Sequence, residues 1–543
     1  MVAKKKKKPQ TAILNERLWV PAGHVDRSIT SEFTYTFKRK EDVRVEDDSG
    51  YFSHYEYRFF DEVHEMFVRE GRMFGFHRGN IERLKKFFGH LKWKDERTSI
   101  PMGAALAHKE GISYRHDQEK CIQSMLKTDG GGLQIAPTGW GKTFFGISMA
   151  IETGQRTLVL ASRTNWLDDW MKDLRKHTNM EELEEEYGGP VCGIIKNSVR
   201  EEDLFPCINF CTFSAFYTHI AEHQRERLKN SFGMVIADEA SQLPAKEVSA
   251  AFTAFNPKWR VALTADEKRA DRLHKLTYDI VGPIISRGKR RDNLTGKVIR
   301  ENSGITLNAA RFYGNWLGTL QSKISKNKQF SELVIRRAIE DVAAGYKVMI
   351  ITKTKAQVAY ISQRLATEEY PVRQRNKKTG KTRTVYREIQ VAVLQGGKSK
   401  RDNYKNDEVK KQARAGEVDV LVCTPIVELN TDIDRMDCLH DMMPVGNEQA
   451  IRQRWGRVGR EHPDKKTPRI RIWDFKAGPD HHPAAKFLVK AWALKEEWAL
   501  RHGYQISDYT PRGSLERLDA RIRSKEGSDK RVEQSFIRRK KDY

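Results

Sequence analysis

The spacing of apolar and polar residues divides the chain into an accessory region, two similar central regions and an end region. Apolar and hydroxyl residues alternate from Phe33 to Phe37, and the stretch from Tyr51 to Phe60 is rich in aromatics, so both predict strands. A helix is predicted where apolar residues recur at helical spacing, at Ile81, Leu84, Phe87 and Phe88. We therefore predict a basic disordered tail over residues 1–27 and a small α+β accessory module over residues 28–110.

The central regions combine short apolar runs with helical patterns between them, which is typical of parallel sheets covered on both faces. The strands predicted from this pattern are Leu133–Ala136, Thr157–Ala161, Gly233–Ala237, Val261–Thr264, Val348–Thr352, Ile389–Leu394 and Val418–Cys423. The fold class is therefore α/β, with two tandem parallel-sheet domains over residues 111–303 and 304–475. A helical and basic C-terminal extension is predicted over residues 476–543.

Charge narrows the classes of partner. Lysine and arginine number 98 against 73 aspartates and glutamates, and this net charge of +25 suits a polyanion, either nucleic acid or an anionic membrane surface. There is no run of about 18 apolar residues, and no apolar segment follows the basic start, so neither a membrane span nor a secretory signal is predicted. We expect a cytoplasmic protein that does not use a membrane. The cysteines are scattered without a C-x-x-C pair, which argues against zinc: Cys121, Cys192, Cys207, Cys211, Cys423 and Cys438.

A phosphate-binding loop is predicted at residues 136–143, which read Ala-Pro-Thr-Gly-Trp-Gly-Lys-Thr between a strand and a helix. Gly139 and Gly141 let the backbone turn its amides toward phosphate oxygens. Lys142 is expected to neutralise charge on the β- and γ-phosphates, and the Thr143 hydroxyl to hold magnesium. The other loop residues expected around the nucleotide are Pro137, Thr138 and Trp140. A chance match, or a site that senses nucleotide without hydrolysing it, is the alternative.

Two adjacent carboxylates follow a later apolar strand. Asp238 is expected to hold magnesium, and Glu239 to orient and deprotonate the attacking water. A strand that ends in Asp-Glu is common by itself and is then a solvated strand end. Its position after the phosphate loop is what predicts ATP and Mg²⁺ as cofactors.

Further segments appear in the order used by superfamily 2 helicases, and the chain resembles that family over about residues 112–475. Arg115 and Gln118 resemble the motif that reads adenine upstream of the phosphate loop. Leu-Thr-Ala-Asp at residues 263–266 resembles the segment that couples hydrolysis to motion. Thr424, Glu428 and Asp432 resemble motif V, with Asp432 expected near the nucleotide. The resemblance implies that the two parallel-sheet domains are RecA-like and that the protein hydrolyses ATP.

Gln453 to Arg460 read Gln-Arg-Trp-Gly-Arg-Val-Gly-Arg and resemble motif VI of the same family. Gln453, Arg457 and Arg460 are expected to take part in hydrolysis. The two arginines stand on one helical face and are predicted to stabilise charge on the transferring γ-phosphate when the second domain closes. An ordinary basic surface helix is the alternative.

The resemblance also implies contacts to a nucleic-acid backbone, chiefly through phosphates. The residues expected to make them are Arg163, Thr212, Thr352 and Thr424. For each threonine, a strand-end hydroxyl that caps a helix is the alternative.

Within the superfamily, Leu-Thr-Ala-Asp with the later Gly282-Pro283-Ile284 resembles the UvsW-type group of phage branch-migrating and recombination helicases. Ser241, where RNA-processing groups carry histidine, also favours DNA. The resemblance implies an ATP-dependent DNA helicase or translocase that acts as a monomer on forks, junctions or single strands, in the host cytoplasm if it is phage-encoded. A double-stranded DNA translocase without strand separation and an RNA helicase remain the alternatives.

A basic insertion at Arg373 to Arg387 has the composition of a long hairpin, with a tip at residues 377–381. Its position and charge suggest a strand-separation pin, and a solvent-exposed loop is the alternative. Tyr386 or Trp140 is a candidate for stacking on bases, although Trp140 also fits a cover over the phosphate loop.

Overall fold

The computed structural model describes residues 11–46, 52–115, 117–137, 139–195, 200–218, 220–265, 267, 269, 271–289, 296–307, 316–375, 382–396, 400–425, 433, 435–444, 448–459, 462–477 and 483–509. The chain divides into two compact units, Met1–Arg291 and Asp292–Tyr543. Within the described ranges, no helix has both the length and the apolar composition needed to cross a membrane.

The first unit opens with the accessory module. Its elements are β1 (Thr11–Leu14), β2 (Arg17–Pro21), α1 (Arg27–Glu32), β3 (Thr34–Glu46), β4 (Phe52–Glu65), β5 (Phe67–Glu70), β6 (Met73–His77), α2 (Ile81–Phe88) and β7 (Lys92–Asp95). Five of the strands form one sheet in the order β5-β6-β2-β1-β7. The strands β1 and β2 correct the prediction of a disordered tail for residues 11–27. Alternate residues there, including Leu14, Leu18 and Val20, are buried, and this short period-two pattern is hidden behind the preceding lysines.

The strands β3 and β4 form a long antiparallel hairpin that pairs only with itself among the described residues. Both predicted strands of the module are therefore confirmed in type, and the predicted helix is α2. Phe33 lies outside β3, and its ring packs in the module's core against Phe76 at 5.0 Å between centroids.

A seven-stranded parallel sheet follows in the first unit. Its strands are β8 (Gly131–Ile135), β9 (Thr157–Ala161), β10 (Cys192–Ile194), β11 (Ile208–Thr212), β12 (Met234–Asp238), β13 (Trp259–Thr264) and β14 (Ile284–Arg287), in the order β10-β11-β9-β12-β13-β8-β14. The helices of this part are α3 (Gln118–Leu126), α4 (Lys142–Thr153), α5 (Thr164–His177), α6 (Met180–Tyr187), α7 (Phe213–Thr218), α8 (Glu222–Leu228), α9 (Lys246–Thr253) and α10 (His274–Val281). Every residue of β9 and β12 is buried, which explains their unbroken apolar runs.

The accessory module contacts the parallel sheet's domain through both backbone and side-chain groups. A Cβ atom on Gly79 would lie 2.5 Å from the carbonyl oxygen of Asp279 and 2.5 Å from the amide nitrogen of Gly282, so only glycine fits. The Arg78 guanidinium is buried and donates to the Lys258 carbonyl at 3.2 Å. The side chain of Asn256 donates to the Glu96 carbonyl at 2.7 Å. These contacts hold the module against α10 and against the loop that precedes β13.

The second unit contains another seven-stranded parallel sheet. The strands of this unit are β15 (Lys297–Leu307), β16 (Val348–Ile351), β17 (Glu369–Arg375), β18 (Thr382–Glu388), β19 (Val391–Leu394), β20 (Val420–Cys423), β21 (Cys438–Asp441), β22 (Arg469–Ala477) and β23 (Gln505–Asp508). The sheet order is β19-β20-β16-β21-β22-β15-β23, and β17 and β18 form a separate hairpin. Its helices are α11 (Trp316–Lys326), α12 (Lys328–Ala343), α13 (Lys355–Leu365), α14 (Lys400–Ala415), α15 (Glu448–Val458) and α16 (Pro483–Arg501).

Two tandem parallel-sheet domains therefore confirm the predicted fold class. The strand β15 begins at Lys297 and so lies on both sides of the predicted boundary at 303/304. The C-terminal extension contains the expected helix, α16, followed by β23, which pairs with β15 at the edge of the sheet. The C-terminal region through Asp508 thus completes the second domain. The basic segment after Tyr509 lies outside the described residues.

Candidate nucleotide site and nucleic-acid interface

The phosphate loop connects the end of β8 to the start of α4, as predicted. Gly139 and Gly141 have φ angles of +86° and +96°, in the left-handed region that favours glycine. The amide of Ala136 donates to the Thr264 carbonyl at 2.9 Å, which anchors the start of the loop to β13. The ammonium of Lys142 donates to the Ala136 carbonyl at 3.2 Å, and the half-buried Thr143 lies in the first turn of α4. The turn and the helix N-terminus form a site suited to phosphate.

Gln118 is buried at the start of α3 and contacts the backbone of this loop. Its amide nitrogen Nε2 donates to the Trp140 carbonyl at 2.7 Å, and its oxygen Oε1 accepts from the Arg115 amide at 2.7 Å. A Cβ atom on Gly141 would lie 2.6 Å from Nε2, a second reason for glycine there. The side chain of Arg115 is exposed. The recognition of adenine by Arg115 and Gln118 stays a prediction.

Trp140 is buried, and this contradicts its candidacy for base stacking. Its indole nitrogen Nε1 donates to Asp117 Oδ1 at 2.8 Å, and its ring lies 5.8 Å from that of Phe145. Because 5% of the residue is exposed, the ring has no free face of the size that a base requires. The alternative, a cover within the phosphate loop, agrees with these contacts.

Asp238 is buried at the end of β12, beside the phosphate loop. Burial raises the pKa of its carboxyl group, whereas the hydrogen bond from Trp170 and the charge of Lys142 act in the opposite direction. The Trp170 indole donates to Oδ2 at 3.0 Å and so fixes the orientation of the carboxylate. A carboxylate and a threonine hydroxyl are oxygen ligands of the kind that Mg²⁺ prefers, so Asp238 and Thr143 fit the predicted ion. The role of Trp170 was not predicted, because its spacing places it among the apolar residues on one face of helix α5.

Glu239 has a left-handed backbone, with φ at +68° and ψ at +64°, although it is not glycine. Such a conformation costs about 1–2 kcal/mol and is concentrated at functional sites. The Ser241 hydroxyl donates to Glu239 Oε1 at 2.8 Å. The chain therefore changes direction at Glu239, between the end of β12 and the short helical turn Ala240–Gln242.

The short helical turn after Glu239 contacts two neighbouring segments. The hydroxyl of Ser162, at the end of β9, donates to the side chain of Gln242. The guanidinium of Arg269 donates to the Ser241 carbonyl and also pairs with Asp271 at 2.6 Å. These bonds join the short turn that follows Glu239 to the end of β9 and to the segment that follows β13.

In the second unit, the predicted motif VI lies on α15. Gln453 is half-buried and Arg457 is buried on this helix. Asp441, at the end of β21, accepts hydrogen bonds from Arg454 at 3.0 Å and from the Trp455 indole at 3.3 Å. Lys495 of α16 also contacts the Asp441 carboxylate, at 2.8 Å, and donates to the Met443 carbonyl at 2.8 Å. We call Asp441, Arg454, Trp455 and Lys495 the Asp441 cluster.

The Asp441 cluster was not predicted, because Asp441 and Lys495 are distant in sequence and match no motif. Burial by itself raises the pKa of Asp441, but the charges of Lys495 and Arg454 outweigh burial and hold the pKa below its usual range. Burial lowers the pKa of Lys495 in spite of its contact with Asp441. The motif VI helix is therefore joined to the C-terminal helix through one buried anion.

Several predicted residues lie outside the described part of the chain: Thr138, Asp266, Glu428, Asp432 and Arg460, together with the hairpin tip at 377–381. Their roles stay predictions. The roles of Lys142, Glu239, Gln453 and Arg457 in hydrolysis also stay predictions.

The four residues expected on the nucleic-acid backbone differ in their surroundings. Arg163 is exposed at the start of α5. The Thr212 hydroxyl accepts from the Ala215 amide at 3.0 Å and so caps α7. Thr352 is fully buried, and its hydroxyl donates to Gln357. The contacts of Thr212 and Thr352 thus favour a structural role for their hydroxyls over a contact with nucleic acid. Thr424 is buried at the end of its strand, and its amide donates to the Leu394 carbonyl at 3.2 Å.

One buried group in the second unit has the residue types of a metal site. Potential ligand atoms of Asp341, Cys438 and His440 lie within 4.8 Å of one another. The Asp341 carboxylate, however, accepts from Arg471 at 2.7 Å and 3.0 Å and also from Arg469. Two guanidinium groups beside one carboxylate repel a cation, so the group is a buried ion-pair network.

Two family models match the chain. Residues 111–269 match the model described as Type III restriction enzyme, res subunit, and residues 325–462 match the Helicase conserved C-terminal domain. These ranges contain the phosphate loop, the Asp-Glu pair and the motif VI helix.

The chain is similar to several helicases. It is 25% identical over 387 residues to the DNA 3'-5' translocase XPB2 of Sulfurisphaera tokodaii, a match over 67% of this chain and 82% of that protein. Identity to the DNA 3'-5' helicase XPB of Mycobacterium tuberculosis is 26% over 179 residues, which cover 32% of this chain and 30% of that protein. Among solved structures, Mss116p bound to ssRNA and AMP-PNP has 15% identity and a TM-score of 0.48, over 74% of this chain and 75% of that one.

The two family models match in the order in which the phosphate loop, the carboxylate pair and motif VI occur. The relatives whose similarity extends across both domains carry helicase or translocase names. The chain is thus an ATP-hydrolysing helicase of superfamily 2.

Proposed function

We propose that this helicase moves along DNA and separates or branch-migrates the strands of forks or junctions, such as those of replication, recombination and repair. The observation that carries the proposal is the basic hairpin β17–β18. This hairpin stands apart from the parallel sheet of the second unit, between α13 and β19. A translocating motor unwinds best when a protein element holds the strands apart, because each base-pair step contributes about 1.4 kcal/mol of stacking.

The charge of the hairpin suits a nucleic-acid backbone. Between Glu369 and Glu388 it carries Arg373, Arg375, Lys377, Lys378, Lys381, Arg383 and Arg387. The two strands pair in unbroken register from Glu369 opposite Glu388 to Arg375 opposite Thr382. At its base, Tyr370 packs against the core of the second unit, whereas Tyr386 is 44% exposed. The hairpin is therefore anchored at one end and presents cations and an aromatic ring to solvent.

The proposed chemistry uses residues of the phosphate site in the first unit and, as the resemblance to motif VI implies, two arginines of the second unit. The loop from Gly139 to Gly141 binds phosphates, and Lys142 neutralises their charge. Asp238, oriented by Trp170, and Thr143 would hold a magnesium ion, which would supply charge neutralisation at the phosphates. Glu239 orients the attacking water and accepts its proton. Arg457 and Arg460 stabilise the charge that develops on the γ-phosphate.

DNA is the proposed substrate, and movement is proposed to run from 3' to 5'. The relatives from Sulfurisphaera tokodaii and Mycobacterium tuberculosis are both named for DNA and for that direction. The phosphate contacts do not distinguish the two sugars by themselves. Matched DNA and RNA substrates are therefore part of the test.

Strand separation is measured on forked DNA with a 3' single-stranded arm, with the same fork carrying a 5' arm, with a four-way junction and with a matched RNA fork. ATP hydrolysis is measured in parallel with each substrate. We expect ATP-dependent separation of the 3'-armed fork and the junction, and none with Glu239→Gln, which still binds ATP. Separation of the RNA fork alone, or hydrolysis in Lys142→Ala at the unaltered rate, would contradict the proposal.

The hairpin is tested with the triple variant Arg383→Ala/Tyr386→Ala/Arg387→Ala. We expect fork separation to fall by at least about ten-fold while hydrolysis stimulated by single-stranded DNA stays within about two-fold, since stacking of one base is worth about 1–3 kcal/mol. The matched control, Lys405→Ala/Lys411→Ala, removes two exposed cations from α14. Equal losses in separation and hydrolysis would refute the hairpin's role.

A double-stranded DNA translocase is the second candidate, because the relative that matches 67% of this chain is named a translocase. Such an enzyme would displace the third strand of a DNA triplex formed on a blunt-ended duplex, but it would not separate the strands of a fork. Triplex displacement without fork separation would favour this candidate over the helicase.

A further inference from the structure

One carboxylate joins three segments around the phosphate loop. Asp117 lies between Arg115 and Gln118 in sequence, and Oδ1 accepts from the Trp140 indole at 2.8 Å. Its other oxygen, Oδ2, accepts from the backbone amide of Lys289 at 2.6 Å. Lys289 lies just before the second unit begins at Asp292. Asp117 thus ties the phosphate loop to the end of the first unit.

Trp140 is held at both its backbone and its ring. The Gln118 amide bonds to the Trp140 carbonyl, and Asp117 bonds to the indole nitrogen at the far side of the ring. The indole also packs on Gly288, where a Cβ atom would lie 2.6 Å from ring atom Cε2. The Gly288 amide in turn donates to the Ile135 carbonyl at 2.8 Å, at the end of β8. The ring is therefore enclosed between the strand that leads into the loop and the segment that leads out of the unit.

We infer that Asp117 is a positioning residue that holds the phosphate loop in its ATP-binding shape through Trp140. The inference rests on the proposed ATP site. The two hydrogen bonds to the carboxylate are charge-assisted and therefore stronger than bonds between neutral groups. An asparagine at this position has one acceptor oxygen and one donor nitrogen. It leaves either the indole or the Lys289 amide facing another donor, and the loop loses its order before ATP binds.

Loss of this order affects ATP binding more than the chemical step. When ATP binds to a disordered loop, part of the binding free energy is used to order the loop. Once ATP is bound, the phosphate contacts are the same as in the unaltered protein, so the rate of the chemical step changes little. We expect Asp117→Asn to raise KM for ATP by about ten-fold, the effect of one charge-assisted hydrogen bond, and to leave kcat within about two-fold. Trp140→Phe, which removes the indole donor and keeps a ring, should raise KM in the same way.

The decisive measurement is a double-mutant cycle on KM for ATP, with full-length protein and saturating single-stranded DNA. Since each substitution by itself breaks the link from Trp140 through residue 117 to the Lys289 amide, Asp117→Asn/Trp140→Phe should resemble Asp117→Asn within about two-fold. The inference would be overturned if the fold-increases in KM of the two single variants multiplied in the double variant. A fall in kcat with unchanged KM would overturn it as well. Asp129→Asn, which removes a carboxylate bonded to Arg97 and Lys258 elsewhere in the unit, is the matched control and should leave KM unchanged.

Two further measurements separate this inference from the proposed ATP site. Lys142→Ala must abolish hydrolysis if the site is correct. If Lys142→Ala is inactive while Asp117→Asn keeps the unaltered KM, only the role of Asp117 is wrong. Intrinsic fluorescence during titration with a non-hydrolysable ATP analogue should change in the unaltered protein and change less in Trp140→Phe. An identical change in both would also count against the inference.

Discussion

Replacement of Asp441 by asparagine should destabilise the second unit more than replacement of Lys495 by methionine. Asp441 is fully buried and contacts two cations, Lys495 at 2.8 Å and Arg454 at 3.0 Å. Asparagine keeps the shape of the side chain but removes the charge. Two buried cations then remain beside a neutral amide. Methionine at 495 removes one cation, fills most of the same volume, and leaves Asp441 paired with Arg454.

The magnitudes follow from these contacts. Removal of one partner from a buried ion pair costs about 3–5 kcal/mol, and this range applies to Asp441→Asn. Lys495→Met loses the bonds to Asp441 and to the Met443 carbonyl but creates no unpaired charge, so we expect about 1–2 kcal/mol. The double variant retains one buried cation. Its cost should therefore fall short of the sum of the single costs by at least about 1 kcal/mol.

The assay is equilibrium unfolding in urea, followed by circular dichroism and by the fluorescence of the buried Trp455 and Trp498. Their rings lie 5.3 Å apart in the second unit and report on its packing. A control, Lys490→Met, removes an exposed lysine from the same helix and should have little effect. A larger cost for Lys495→Met than for Asp441→Asn, or strict additivity, would refute the reasoning.

Three further predictions concern other contacts. The difference in free energy of unfolding between the unaltered protein and Asp441→Asn should be fully present at neutral pH. It should shrink as the pH falls below 3.8, the ordinary pKa of an aspartate, and through the lowered pKa of Asp441. Urea unfolding at several pH values measures this difference, and a difference that grows in acid would contradict the prediction. Trp170→Phe removes the donor to Asp238 Oδ2, so the Mg²⁺ concentration for half-maximal ATP hydrolysis should rise by about three- to ten-fold, and an unchanged Mg²⁺ dependence would disprove an orienting role. Gly79→Ala places a methyl group 2.5 Å from two backbone atoms of α10's end and should cost about 2 kcal/mol or more by thermal unfolding, whereas Gly189→Ala, with open space around it, should cost under about 1 kcal/mol.

The parts that sequence could predict are those with local signals. The unbroken apolar runs of β9 and β12 are visible because both faces of a parallel sheet are covered. The phosphate loop is visible because Gly139 and Gly141 stand where positive φ angles are needed. The hairpin predicted at Arg373 to Arg387 is visible because basic residues flank a turn-forming tip, and the structure extends its paired strands to Glu369 and Glu388.

The parts that sequence missed depend on contacts between distant residues. The strand β23 has four residues of mixed polarity and exists because β15 offers a free edge beside Gln505. Thr352 resembles a backbone-binding residue in its motif, but the neighbouring helix α13 supplies Gln357 as its partner. The sequence left Trp140 with two roles, base stacking or a cover over the phosphate loop, and only its contacts with Gly288 and Asp117 decide for the cover. No local pattern carries this information.

The docking of the accessory module places its contacts close in sequence to the nucleotide site. The hairpin β3–β4 extends from a module whose Arg78 is bonded to the carbonyl of Lys258, directly before β13. The last residues of β13 lie next to the phosphate loop, since the Thr264 carbonyl accepts from the Ala136 amide. The docking contacts and the phosphate loop therefore lie at opposite ends of the same strand, β13. A shortened chain without the module would leave the Lys258 carbonyl and the Asn256 side chain without these partners.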